Sequence, residues 1–301
     1  MHNQAKPGRP EWTLMKLVQW AAGYFESRQI DSPRATAEIL LAHAIGAKRI
    51  DLYLRYDQPL LAEELSRFKV LIKRRAGREP VAYILGHREF WSMDLEVDRN
   101  VLIPRPETEC LVERALEVLV ADPNPERKSV LELGTGCGAV LLALASEKPR
   151  NSYLGTDISG RAVRVARRNS IRHGLGETVR FVVADWLAPF GTKSGVFDLI
   201  VSNPPYIRSG DLKRLQPEIH LYEPAAALDG AEDGLRCLRH IIEYAHLYLK
   251  PAGALLLEIG HDQQAPLTQI IDTCGQYKDA RFYKDYSGHN RIVSMRKSSG
   301  L

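Results

Sequence analysis

Between Trp12 and Arg28, apolar side chains recur at Leu14, Leu17, Val18, Ala21 and Phe25. That three-and-four spacing puts them on one face of a helix. Thr13 stands where a cap would accept the first free backbone N–H groups. Ser32-Pro33 reads as the next start, with Ser32 as N-cap and Pro33 at the first helical position, where a missing N–H is harmless. Ala37, Leu40, Leu41 and Ala44 carry this helix to a stop at Gly46. A third run, Leu61 to Ala76, turns Leu65, Phe68 and Ile72 towards the other two. Short helices of this kind predict a bundle over residues 11–78 with its own core. It holds no cluster of reactive side chains, so its expected role is docking or positioning. Residues 1–10 have no apolar run and are expected to be a disordered lead-in.

The pattern changes between Gly77 and Val101. Val81 to Leu85, then Gly86, then Arg88 to Trp91 and Met93 to Val97 read as a β-hairpin linker over residues 79–101. Leu102 to Glu109 leads into an apolar helix, Cys110 to Val120, which Asp122-Pro-Asn-Pro125 is expected to end. From Ser129 onwards strands and helices alternate. The strands are Val130–Leu133, Ser152–Thr156, Val179–Val183, Phe197–Ser202 and Ala254–Ile259. The helices are Ala139–Ser146, Gly160–Arg172, Gly234–Leu249 and Gln263–Thr273. This alternation predicts an α/β domain over residues 102–301, with parallel strands joined by right-handed crossovers. Arg281–Tyr283 and Arg291–Met295 have no helix between them and predict an antiparallel pair at one edge, which makes a mostly parallel seven-stranded sheet.

Composition adds limits. The 301 residues suffice for two domains, and 45% apolar with 26% charged content is ordinary for a soluble globular protein. A net charge of +4 lacks the dense Lys/Arg stripe of a dedicated nucleic-acid binder, so no direct nucleic-acid binding is expected. Cys110, Cys137, Cys237 and Cys274 form no CxxC and no zinc spacing; they read as reduced thiols, and no metal is expected. The N-terminus carries no apolar signal segment, and no stretch approaches the ~20 apolar residues of a membrane span. A cytoplasmic monomer is the expectation.

The chemistry concentrates after the strands. Asn203-Pro204-Pro205-Tyr206 directly follows the apolar run that ends at Ser202. Two prolines fix φ and remove two donors, so the loop can neither extend the sheet nor start a helix. A carboxamide, carbonyls without competing N–H groups and an aromatic face suit a planar –NH2 group. The first α/β strand ends in Glu132-Leu-Gly134-Thr135-Gly136-Cys137-Gly138, where the backbone can approach a ligand closely. The spacing departs from GxGxxG, which weighs against a pyrophosphate. Asp157, at the second strand end, is placed for ribose hydroxyls. Asp185-Trp186, at the third, offers a polar group and a flat ring for adenine. Together they favour S-adenosyl-L-methionine over a nicotinamide cofactor, for which no hydride-transfer acid or base is evident. The methyl acceptor stays open at this level, because an amide and the exocyclic amine of adenine in DNA or RNA fit the loop alike.

Beyond these residues the chain resembles the peptide chain release factor glutamine N5-methyltransferases (the PrmC/HemK family). The likeness rests on Leu102–Glu109 (Leu-Ile-Pro-Arg-Pro-Glu-Thr-Glu), Leu131–Gly138, Asn203–Tyr206, Glu223-Pro224 with Ala227-Leu228, Leu257–Gly260 and Lys284–Arg291, and it runs from about Asp31 to Met295. It implies a class I, Rossmann-like methyltransferase domain behind a helical domain that docks on class 1 release factors. It also implies methyl transfer from S-adenosyl-L-methionine to the glutamine of their Gly-Gly-Gln loop, leaving S-adenosyl-L-homocysteine and supporting translation termination. On that likeness Gly134 to Gly138 hold the methionine and ribose part of the cofactor, Asp157 binds ribose and Trp186 packs on adenine. Asn203 adjoins both cofactor and target, and Pro204, Pro205 and Tyr206 complete the glutamine pocket. Ala231-Glu-Asp233 stands where many relatives have a glycine, a change expected to touch only a surface loop. The rivals are glutamine methylation of a ribosomal protein, which fits the loop equally well, N6-adenine methylation, and a non-catalytic binding module that kept the fold.

Overall fold

Thr13 caps the first helix: its hydroxyl accepts the Lys16 N–H at 3.5 Å, and α1 runs Leu14–Glu26. The computed structural model describes residues 12–121, 127–191 and 195–298. The lead-in at 1–10 and the helix stop at Asp122–Pro125 lie outside them. Contacts divide the chain into two compact units, with the boundary between Gly86 and His87.

In the first unit, α1 is followed by α2 (Pro33–Ile45), α3 (Asp51–Leu54), α4 (Ala62–Ala76) and α5 (Val81–Leu85). The face read from the sequence is the core: Leu14, Leu17, Val18, Ala21 and Phe25 are buried with Leu40, Leu41, Phe68 and Ile72. Gly46 ends α2 in the left-handed conformation, at φ +66°. Ser32 does not cap α2 through its side chain. Its φ is +48°, not the extended backbone that aims an N-cap hydroxyl at the following amides. Val81–Leu85 is helix rather than the first strand of a hairpin. A five-residue apolar run satisfies either period, and here its ends decide. Pro80 enters at φ −58°, Gly86 leaves at φ +82°, and the Arg74 guanidinium donates to the Tyr83 and Ile84 carbonyls that a helix end leaves free.

The second unit opens with an antiparallel hairpin, β1 (His87–Phe90) and β2 (Met93–Glu96), turning through Trp91 and Ser92 at φ +51° and +56°. There follow α6 (Glu109–Ala121), β3 (Ser129–Leu133), α7 (Ala139–Glu147), β4 (Ser152–Asp157), α8 (Gly160–Arg172), β5 (Val179–Val183) and β6 (Phe197–Ser202). The short α9 (Pro217–His220), α10 (Arg236–Ala245), β7 (Leu249–Glu258), α11 (Gln264–Cys274), β8 (Tyr277–Lys284) and β9 (Asn290–Lys297) complete it. α10 stops before Leu249, because Leu249 already pairs with Phe197 at the start of a longer β7.

The sheet order is β5-β4-β3-β6-β7-β9-β8, parallel through β7 and antiparallel at the β9 and β8 edge. β3 and β6 are neighbours from which the chain winds in opposite directions. That reversal opens a crevice beyond their carboxyl ends. Leu131, Leu133, Ile200, Leu255 and Leu257 close the core beneath it against α10 and α11. Gly155, in β4, lets this layer close: a Cβ there would lie 2.7 Å from the Phe181 ring and 3.0 Å from Thr135 Oγ1.

Gly155→Ala is therefore expected to destabilise the protein by about 1–3 kcal/mol through overpacking. Urea denaturation measures this, and wild-type stability would show that Phe181 has room to move.

Candidate active site

β6 is tied to β3 at its last residue, where the Ser202 hydroxyl donates to the Leu133 carbonyl at 2.7 Å. The chain then leaves the sheet as Asn203-Pro204-Pro205-Tyr206, with Pro204 buried and the other three half-buried. Asn203 Nδ2 donates to Thr108 Oγ1 at 3.2 Å. The Tyr206 phenol donates to Glu258 Oε1 at 3.1 Å, at the end of β7. Gln263 Nε2 donates to the carbonyls of Tyr206 and Gly234, each at 3.0 Å, while its own Oε1 accepts the Gly260 N–H at 2.9 Å. Gly234 has φ +74°, and a Cβ there would stand 2.6 Å from the Tyr206 carbonyl oxygen, so only glycine lets these backbones meet.

The surroundings are acidic and buried. Glu258 is 1% exposed, and burial pushes its carboxyl up to about 7, opposed by Thr108, Arg291 and Tyr206. Its Oε2 has no hydrogen-bond partner among the described residues. Arg291, on β9, donates to Asp285 Oδ2 at 3.2 Å. Glu223 pins the segment before α6, accepting from Arg105 Nη2 at 2.5 Å and from the Ile103 N–H at 3.2 Å. The segments around residues 105, 223, 258 and 291 thus converge behind one loop.

On the other side stands the glycine loop. Gly134, Gly136 and Gly138 have φ of +71°, +57° and +87°, a left-handed backbone that strains any other residue. Asp157 holds the loop, accepting the Gly136 N–H at 2.9 Å and the Ser159 N–H at 2.8 Å; burial raises its pKa against those two bonds. Glu132 is 3% exposed beneath the loop, accepts the Thr135 hydroxyl at 2.5 Å, and is pushed up to about 8 by burial. Trp186 has φ +45°, and its ring edge lies 3.6 Å from where a Gly134 Cβ would be.

A cavity of about 890 Å³ fills the crevice, lined among others by Gly134, Gly136, Asp157, Asp185, Trp186, Asn203 and Pro205. Glu132, Thr135, Cys137 and Gly138 do not line it; they are buried under the loop and support it. A second cavity of about 100 Å³ is lined by Arg105, Pro204, Tyr206 and Glu258. Asn203, Leu102 and Ala227 line both. A carboxylate for a diol, a flat ring opposite glycines and a long crevice fit S-adenosyl-L-methionine, and a Cβ on Gly134 would encroach on that space.

Thr108, Glu258, Gln263 and Arg291 had no assigned role in the sequence. The one hint was position: Glu258 is a charge ending an otherwise apolar strand, and burial there needs a partner. Ala231 is also less peripheral than expected. It sits at φ +72° in the loop that bonds to Ile207, directly beside Tyr206.

Residues 16–86 match the PrmC N-terminal domain family, and residues 111–220 match the methyltransferase small domain family. A release factor glutamine methyltransferase of Geobacter sulfurreducens is 40% identical over 289 residues, spanning 96% of this chain and 98% of that one. Another, from Caulobacter vibrioides, is 38% identical over 281 residues, spanning 93% and 95%. Among solved structures, the hMettl16 catalytic domain in complex with MAT2A 3'UTR hairpin 6 covers 76% of this chain and 81% of its own at 14% identity and a TM-score of 0.56, a likeness of fold alone.

The buried carboxyls carry a pH signature. A group whose folded pKa lies above its unfolded value loses its stabilising contribution as pH rises through the folded value. Glu132 rises from 4.5 to about 8, so stability is expected to fall across that window, with Glu258 adding to the fall up to about 7. Glu132→Gln should flatten the decline seen in urea denaturation at pH 5 and pH 8. An unaltered slope would mean that Glu132 does not titrate there.

Proposed function

The chain belongs to the release factor glutamine methyltransferase family, and on that premise we propose that it methylates the side-chain amide nitrogen of the glutamine in the Gly-Gly-Gln loop of class 1 peptide chain release factors, using S-adenosyl-L-methionine. The observation that carries the reading is Asn203, which lines the large crevice and the small cavity at once. One side chain thereby reaches both the methyl donor and the methyl acceptor.

Gly134 and Gly136 give the donor's methionine and ribose a close backbone approach, Asp157 accepts from the ribose hydroxyls, and Trp186 packs on adenine. When bound there, S-adenosyl-L-methionine would supply an electrophilic methyl on a sulfonium, with a neutral thioether as the leaving group. The acceptor nitrogen is a weak nucleophile, because its lone pair is delocalised into the carbonyl. Asn203 Oδ1 and the Pro204 carbonyl accept its two hydrogens, aim the lone pair across the crevice and stabilise the positive charge that develops on it. Tyr206, fixed at its phenol by Glu258 and at its carbonyl by Gln263, packs against the amide plane. The displaced proton passes to water after transfer.

The same –NH2 geometry serves adenine. Family membership favours a protein glutamine in a release factor. Among the described residues no helix is long and apolar enough to cross a membrane. We place the enzyme in the cytoplasm as a monomer that meets the release factor without contacting nucleic acid.

Tritiated methyl transfer tests the reading. Incorporation is expected into wild-type release factor and not into a factor whose Gly-Gly-Gln glutamine is replaced; incorporation into DNA or RNA instead would overturn it. Asn203→Ala should lower turnover about 100-fold or more while donor affinity stays within about threefold. Near-normal turnover in that variant would remove Asn203 from the mechanism.

A further inference from the structure

We infer that Glu258, at the end of β7, binds the target directly: its Oε2 donates a hydrogen bond to the carbonyl oxygen of the target amide, while Asn203 and Pro204 hold the nitrogen. The inference rests on the glutamine-methyltransferase reading of this site and deepens it, supplying a donor for the half of the amide that the Asn-Pro-Pro-Tyr loop leaves unrecognised.

An amide presents two hydrogens and one oxygen, and a pocket that excludes water must answer all three. Asn203 Oδ1 and the Pro204 carbonyl answer the hydrogens. The oxygen needs a donor. The small cavity has four polar side chains in its lining, Arg105, Asn203, Tyr206 and Glu258. Asn203 Nδ2 is committed to Thr108, and the Tyr206 phenol to Glu258 Oε1. Arg105 is half-buried and drawn to Glu223. Among the described residues, Glu258 Oε2 is the buried side-chain oxygen of this lining that has no hydrogen-bond partner.

A carboxyl in this setting is a donor. Tyr206 donates to Oε1, so the proton of the acid belongs on Oε2. An ionised Oε2 would hold charge in a buried position without a hydrogen bond, which costs far more than a neutral hydroxyl there. The surrounding groups do not reverse this balance. Arg291, on β9, attracts the anion, but its own charge is shared with Asp285 Oδ2 at 3.2 Å and the Ile259 carbonyl at 3.3 Å. Glu107, in the turn before α6, pushes the other way, and Cys110, on α6, is a neutral thiol raised by burial. Burial thus leaves the Glu258 carboxyl at about 7, so the pocket keeps its proton up to neutrality and loses it above.

A protonated Oε2 takes the target oxygen, whereas an ionised one meets it acceptor to acceptor and rejects the pose. Glu258 lines the small cavity and not the large crevice, so the oxygen is held on the side away from the methyl donor. The oxygen is the more nucleophilic end of an amide, and this placement keeps it out of line while presenting nitrogen. Target binding therefore favours the protonated carboxyl, and above neutrality the complex takes up a proton.

Three forms test this: wild type; Glu258→Gln, which keeps an acceptor for Tyr206 and adds a permanent donor; and Glu258→Leu, which has neither. Between pH 6 and pH 8, kcat/KM for release factor should fall about tenfold in wild type relative to Glu258→Gln, as the carboxyl loses its proton. At pH 8, Glu258→Gln should exceed Glu258→Leu by about tenfold or more. Calorimetry of release factor binding to enzyme loaded with S-adenosyl-L-homocysteine, in buffers of different ionisation enthalpy, should show uptake of about one proton at pH 8 in wild type and none in Glu258→Gln.

The same pH dependence in wild type and Glu258→Gln overturns the inference, as does proton uptake that survives in Glu258→Gln; either result leaves Glu258 as a support for Tyr206 alone. If Glu258→Leu does not fold, the other two forms decide, with donor affinity within about threefold of each other as the check on folding. Wild-type enzyme that leaves the glutamine of release factor unmethylated would bring down the functional reading itself, a result visible before any variant is made.

Discussion

Two prolines in succession impose the constraint from which the site follows. After Ser202 the backbone of β6 has no N–H to offer at either Pro204 or Pro205, so neither neighbouring strand can hold it. The chain must leave the sheet at the switch point, with φ fixed at Pro204 and Pro205. What keeps the departing loop in one place comes from elsewhere: Gln263 on the Tyr206 carbonyl, Glu258 on the Tyr206 phenol and Thr108 on Asn203. Rigidity in the loop and bracing around it are complementary. Prolines limit the conformations available, and the surrounding hydrogen bonds select one of them.

The bracing depends on acids that the solvent hardly reaches. Glu132 sits under the glycine loop and Glu258 behind the Asn-Pro-Pro-Tyr loop, and burial raises both carboxyls well above the ordinary range. Neither is needed as a proton acceptor for the chemistry. Each satisfies a hydroxyl that would otherwise be stranded, Thr135 in one case and Tyr206 in the other. A carboxyl oxygen buried behind a binding surface fixes the orientation of a hydroxyl whose proton can otherwise rotate. Asp157 shows a variant of the same device, since it organises backbone N–H groups while remaining at the cavity wall.

Much of this was readable from sequence wherever the determinant is local. The faces of α1, α2 and α4, the alternation from β3 onwards, and the strand-end position of Asp157, Trp186 and Asn203 all follow from neighbours in the chain. Val81–Leu85 was not, because five apolar residues carry no period and the Arg74 contacts that favour a helix are tertiary. Ser32 is similar: residue type suggested a cap, and the backbone conformation before Pro33 removed it. Thr108, Glu258 and Gln263 escaped for a different reason. Their partners lie 95, 52 and 57 residues away, and a single sequence gives no measure of such pairings. The family resemblance drew attention to the segments that contain Thr108 and Glu258, and only the fold says what their side chains touch.

The two cavities share a wall made by Asn203, Leu102 and Ala227, and otherwise have separate linings. Pro204, Tyr206 and Arg105 line the small cavity and not the large one, and Trp186 and Asp185 the reverse, so on the proposed function a change in one set alters what is presented for modification and a change in the other alters the donor chamber. Asn203 belongs to neither set, because it lines both cavities. A protein laid out this way can accept substitutions in one chamber independently of the other, except along the wall that Asn203, Leu102 and Ala227 share.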